Sequence, residues 1–166
     1  MSAKLPAALV KIASAEIGVE EIDGTNSGPR VNEYKATTNL PADEPWPWCA
    51  AFVDWCVLQA MNATGTPETA TFRRPTTAGA YALEAWSMAQ DESTWTKKPA
   101  QKDIQPGDII VFTFSHCGIA VSAPDGAGFF QTVEGNTDTA GSREGGGVFK
   151  KWRRTGQVRS RIRFRV

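Results

Sequence analysis

Histidine is almost missing from this chain of 166 residues: His116 is the only one. Any chemistry that needs an imidazole base therefore has a single candidate. Cysteine is scarce too, with three residues that cannot all pair within one chain. Cys49 and Cys56 would stand roughly 10 Å apart by helical rise, too far to bridge, so free thiols are expected. No segment approaches the ~20 apolar residues of a membrane span, which excludes insertion by a helix. Lys11 interrupts the short apolar run at residues 5–10, so no secretory signal is visible and synthesis in the cytoplasm is expected. Repeats, low-complexity tracts and an interdomain linker are also lacking, and one domain over residues 1–166 is expected, as a monomer.

Net charge is zero, and with no base-reading motif a nucleic-acid partner is not expected. The signs are nonetheless unevenly placed. All 18 acidic residues precede Phe149, while 8 of the 18 basic ones lie from Lys150 onward. The final strand, QVRSRIRFRV, is expected to point Val158, Ile162, Phe164 and Val166 one way and Arg159, Arg161, Arg163 and Arg165 the other. Its basic face is read either as attraction to anionic polymers or, more simply, as a charged strand edge.

The first half reads helical and the second half reads as strands, the pattern of an α+β fold. Residues 6–18 (PAALVKIASAEIG) place Leu9, Ile12, Ala13 and Ile17 on one face of a helix closed by glycine. Pro29 opens a short helix through Val31 and Tyr34. A third helix, apolar nearly all round, runs from about Trp48 to Met61 and is expected to be buried. A fourth is expected over residues 77–89, followed by a polar connector, KKPAQKDIQPGD. From Asp108 the period becomes two, with strands in IIVFTF, HCGIAVSA, FFQTVEGNT, GVFKKW and QVRSRIRFRV.

In PWPWCAAFVDWC, Pro45 and Pro47 disfavour helix for the residues before them, so the helix starts at Trp48 or Cys49. A thiol in that first turn faces unpaired backbone N–H groups and the positive end of the helix dipole. Both lower its pKa and prepare it as a nucleophile, and the same N–H groups suit an oxyanion. The alternative for Cys49 is a structural cysteine, which is the expected state of Cys56 and Cys117. His116 sits at the start of a strand, where helix packing on the sheet brings a base to the thiol. Cys117, next along, should face the other way. With no paired-ligand spacing, zinc is not expected. A base imidazole needs an orienting partner, and VEGNT offers two on one face, Glu134 first and Asn136 to assist or replace it. Trp46, Trp48 and Trp55 flank the nucleophile as cleft walls or packing, and Tyr34 is a candidate second oxyanion donor or a core residue.

Together, EIDGTNSGPRVNEY, WPWCAAFVDWC, QPGDIIVF, SHCGIAV and VEGNT resemble, in order and spacing and over most of the chain, the CHAP family. These are cysteine- and histidine-dependent amidohydrolases/peptidases within the NlpC-type papain-like hydrolases. The resemblance implies a papain-like fold, N-terminal helices on an antiparallel sheet of five to six strands. It implies hydrolysis of an amide bond in bacterial peptidoglycan, with Cys49 as nucleophile, His116 as base, and Glu134 and Asn136 as polar supports; Trp46, Trp48 and Tyr34 are the expected substrate contacts. Some members hold calcium; here ADEPWPWC lacks the spaced aspartates, and Tyr34 stands where a closing glutamate would follow Asp23, Thr25 and Ser27. No metal or cofactor is expected. Without a wall-binding domain or signal, the chain resembles small phage endolysins, which act on the wall after release; the alternatives are a secreted amidase effector, a transamidase, or a non-catalytic wall-binding module on the same fold.

Overall fold

The computed structural model describes residues 4–166. Four α-helices precede a six-stranded antiparallel sheet for most of the chain: α1 (Lys4–Ala15), α2 (Pro29–Lys35), α3 (Cys49–Thr64) and α4 (Ala82–Met88), then β1 (Ser93–Lys97), β2 (Ile109–Phe112), β3 (Cys117–Ala120), β4 (Phe129–Thr137), β5 (Gly147–Arg154) and β6 (Val158–Phe164). The strands lie in the order β1-β6-β2-β3-β4-β5, each pair antiparallel. This is the α+β architecture that the change of period predicts.

The main core lies between the helices and one face of the sheet. Leu5, Leu9 and Ala13 of α1 and most of α3 pack against Ile109, Val111, Cys117, Ile119, Val133, Ile162 and Phe164. Helix α3 runs through the middle of this layer, which is why its sequence has no polar face. Its one buried acid, Asp54, has both oxygens without a protein partner. Burial pushes that carboxyl well above its ordinary pKa, only partly opposed by Arg74. A second cluster on the opposite face joins Ile104, Ile110, Phe112, Ala120, Phe130 and Val158.

Four local expectations change. Ile17 falls beyond the end of α1 and is exposed. Helix α4 begins at Ala82, not near residue 77, because the Thr77 hydroxyl accepts from the Gly79 N–H at 3.2 Å and turns the chain instead. STWTK, just ahead of the expected connector, is strand β1, pairing residue by residue with β6. Val158 leaves the face of Ile162 and Phe164: the ladder pairs Val111 with Ser160 but Phe112 with Val158, so Arg159 is an extra residue and the strand flips there.

The basic tail also differs from a charged edge. Strand β6 is interior, between β1 and β2. Arg163 is ion-paired with Asp108 at 2.7 Å and Arg159 with Glu84 at 2.8 Å, while Arg161 donates to the Asp103 carbonyl and the Thr94 hydroxyl. The late cations thus find the early acids, so the charge asymmetry along the sequence closes within the fold.

Candidate active site

Cys49 is the first residue of α3, preceded by Trp48 in a non-helical conformation with no side-chain cap. The first helical amide paired within the helix is that of Phe52, which donates to the Trp48 carbonyl at 2.9 Å. The N–H groups ahead of it form the positive end that the two prolines predict. The sulfur interacts with the thiol and backbone N–H of Cys117 and with the His116 ring. The Cys117 thiol is the largest influence lowering the Cys49 pKa; burial opposes it and His116 adds to it, leaving Cys49 well below its ordinary value. Burial, followed by the neighbouring Cys49, pushes Cys117 up. Cys49 therefore carries the negative charge and Cys117 donates to it. Cys56, pushed up by burial, stays a neutral core thiol.

His116 immediately precedes β3, after a turn in which Ser115 takes a left-handed backbone conformation with φ 57°. That turn is braced from outside: the Tyr81 hydroxyl donates to the Thr113 carbonyl at 2.8 Å and accepts from the Ser115 N–H at 3.0 Å. The imidazole is fully buried, stacked within 18° of the rings of Phe112 and Phe114. Cys117 faces the helix-side core, as the alternation of a strand requires. His116 Nε2 lies 2.8 Å from Glu134 Oε1, and Nδ1 has no hydrogen-bond partner. The carboxylate thus occupies one nitrogen and leaves the other to Cys49. Burial lowers the His116 pKa, but Cys49 and then Glu134 outweigh it and raise the value to about 9. A thiolate beside an imidazolium is the resting state these shifts describe.

Glu134, on β4, is fully buried and has three partners besides His116's contribution to its charge. Arg153 Nε donates to Oε2 at 2.7 Å, Arg153 Nη2 to Oε1 at 2.5 Å, and the Thr132 hydroxyl to Oε2. Burial raises the Glu134 pKa, but Arg153 and His116 overcome it and hold the carboxyl at about 2. The guanidinium also lies 4.9 Å and 5.1 Å from the centroids of Phe112 and Phe114, the rings against which His116 stacks. Arg153 therefore fixes both the carboxylate and the aromatic wall of the base. Sequence reasoning missed it because KKWRR reads as a basic strand end; Arg153 shares its side of the strand with the half-buried Phe149 and Lys151, which gives no sign that one arginine turns inward. Because the folded pKa of Glu134 lies below its ordinary value of 4.5, its stabilising contribution is present above that pH and is lost as pH falls through about 2.

Gly118 supplies the clearance for this carboxylate. A Cβ there would lie 2.5 Å from Glu134 Cγ and 2.9 Å from the Val133 carbonyl oxygen. Gly118→Ala is expected to displace Glu134, destabilise the fold by about 1–3 kcal/mol and lower kcat at least tenfold, checked by thermal unfolding and initial rates.

Asn136 is close in sequence but does a different job. Its Nδ2 donates to the Arg143 carbonyl at 2.9 Å, its Oδ1 is buried without a partner, and no hydrogen bond joins it to His116. Of the aromatic residues, Trp46 lines a cleft of about 400 Å3 together with Cys49, Pro47, Leu40 and Ser115. Trp48 and Tyr34 are not on this wall: both are fully buried, Trp48 donating to Glu21 at 2.8 Å and the Tyr34 hydroxyl to Glu16 at 2.6 Å. Tyr34 is thereby committed elsewhere and does not serve an oxyanion.

No family model matches the chain, and no curated protein does. Among solved structures, the crystal structure of a wild-type endolysin, LysIME-EF1, aligns with it at a TM-score of 0.57 and 16% identity. The two share a fold. The alignment covers 96% of this chain and 64% of that one, so the chain spans about two thirds of the endolysin's length. At this identity the likeness concerns the fold, and the chemistry rests on the residues around Cys49.

Proposed function

We propose that the protein is a peptidoglycan hydrolase that cuts an amide bond through Cys49, either an N-acetylmuramoyl-L-alanine amidase or an endopeptidase of the stem peptide or cross-bridge. The observation that carries this is the hydrogen-bonded chain from Arg153 through Glu134 to His116, whose free Nδ1 is left for Cys49, the activated thiol at a helix start that opens on a cleft. The endolysin fold puts the wall polymer first among amide substrates. A CHAP-like single catalytic domain acting as a monomer, made in the cytoplasm and reaching the wall at lysis, is the setting this reading favours.

Each step follows from the positions of the groups. The Cys49 thiolate attacks the amide carbonyl, and the electron pair moves to oxygen, where the Cys49 N–H and the helix end stabilise it. Protonated His116 gives its Nδ1 proton to the leaving nitrogen as the C–N bond breaks, leaving an acyl thioester. Neutral His116 then takes a proton from water; the hydroxide adds to the thioester, and the thiolate departs. Glu134 keeps the ring from rotating and balances its positive charge at each turnover. Mass spectrometry of purified peptidoglycan after incubation is the test. Fragments carrying added water support the hydrolase and identify the bond, masses showing a joined amine reveal a transamidase, and no new fragment rejects the reading in favour of a binding module.

The pKa pattern fixes the pH profile. Activity is expected to hold through neutrality and to fall as pH rises through about 9, where His116 loses the proton the leaving group needs. Initial rates against pH check this; a basic limb near 6.5, the ordinary histidine value, would mean that no ion pair forms.

A further inference from the structure

The cleft beside Cys49 is mostly apolar, and among the residues lining it Arg143 is the only cation. Arg143 lies on the loop between β4 and β5, in a backbone fixed from three directions. Asn136 Nδ2 donates to the Arg143 carbonyl at 2.9 Å, the Thr137 hydroxyl donates to the preceding carbonyl of Ser142 at 2.6 Å, and the Ser142 N–H donates to Asp138 Oδ1 at 2.9 Å. Gly145 presses against the Thr137 backbone so closely that a Cβ would lie 2.0 Å from its carbonyl carbon. The guanidinium itself is the reverse of this. Among the described residues it makes no hydrogen bond, and its one ionic neighbour is the exposed Glu144 carboxylate, 3.5 Å from Nε, a pair that solvent screens. Four of the late arginines, Arg153, Arg159, Arg161 and Arg163, spend their donors on protein acceptors, whereas Arg143 faces the cleft with its donors free.

A braced backbone presenting an uncommitted, planar, five-donor cation to a cleft is an arrangement for a carboxylate. The remaining wall agrees in size. Ala78, Gly79 and Ala80 leave room for small side chains near the nucleophile. We infer that Arg143 forms a subsite for a free carboxylate of the peptidoglycan stem peptide, next to the amide that Cys49 attacks, in a segment whose neighbouring side chains are as small as alanine. This rests on the hydrolase reading above and adds to it the charge of the substrate that the cleft prefers. Asn136 acts here as a positioning residue, holding the Arg143 backbone rather than the imidazole.

The test uses soluble muropeptides prepared in two forms, with stem carboxylates free and with the same carboxylates converted to amides by carbodiimide and ammonia. Wild type, Arg143→Gln and Arg143→Lys are compared on both. The wild-type chain is expected to lose roughly tenfold in kcat/KM on amidation, chiefly through KM, the size a charge-assisted contact supports. Arg143→Gln should lose a similar factor on the free form and be insensitive to amidation, with Arg143→Lys in between and all three melting alike. Equal sensitivity of wild type and Arg143→Gln to amidation overturns the subsite while leaving the hydrolase in place. No fragment from wild type on either form overturns the hydrolase reading, and the subsite with it.

Discussion

Cys49→Ala is expected to release no fragments from peptidoglycan, a fall of at least about 10⁴-fold in rate, while unfolding at nearly the wild-type temperature. The size of the loss follows from the division of labour at the site. His116 keeps its free Nδ1 for a water, but water is a far weaker nucleophile toward an amide than the thiolate it would replace. The helix start can still polarise a bound amide, but polarisation without a nucleophile recovers only the residual part of the catalysis. Stability should change little because the sulfur lies at the cleft rather than deep in the core, where Cys56 sits. Cys56→Ala supplies the contrast, with activity kept and stability lowered by the cavity it leaves. Lysis retained in Cys49→Ala would remove the nucleophile assignment whatever else the site suggests. Far-UV and near-UV dichroism of the variant separate loss of chemistry from loss of fold.

Arg153→Met should be the most damaging change outside the nucleophile. It removes two charge-assisted hydrogen bonds from a carboxylate with no solvent access and leaves it balanced only by His116. Breaking a buried pair from one side costs about 3–5 kcal/mol, a large part of the stability of a small domain. The sign with pH follows from Arg153 lowering the Glu134 pKa. Without the guanidinium the carboxyl titrates higher than in the wild type, so the destabilisation is greatest at neutral pH and shrinks as pH falls through the variant's raised value toward about 2, where the wild-type carboxyl also takes up a proton. Adding Glu134→Gln to Arg153→Met should restore much of the stability, because no buried charge then lacks a partner, but not the activity. Chemical denaturation of the single and double variants at two pH values reads all of this. A single-variant cost under about 1 kcal/mol would show that the pair is not holding the site.

The order of helices and strands is legible because the apolar period changes from 3.6 to 2 near Asp108, although the first strand, β1, already comes at Ser93 with a sequence too polar to show that period. Cys49 is legible from the two prolines that set the helix start, and His116 from being the single histidine. Glu134 and Asn136 are not separable by sequence, since residues two apart on a strand share a face; only the ladder irregularity between Glu134 and Thr137 parts them. Arg159 hides in the same way, as an extra residue that turns Val158 to the other cluster. Trp48 and Tyr34 read as cleft residues because they neighbour the nucleophile in sequence or family pattern, whereas the pairing of each polar atom with a distant glutamate decides their place. Long-range partners of this kind, Arg153 with Glu134 above all, leave no trace in local pattern.

The loop over residues 138–146 hangs from β4 and β5 by a few identifiable fastenings: Asn136 and Thr137 on one strand, and Arg153, whose Nη2 also donates to the Gly141 carbonyl at 3.1 Å, on the other. Everything that moves protons lies outside this segment. It is therefore a replaceable cassette, and new recognition specificities can be grafted into it without redesigning the chemistry. The graft has two fixed stitches: a residue at position 141 that tolerates φ 80° and offers its carbonyl to Arg153, and a glycine at 145, where a Cβ would run into the Thr137 backbone.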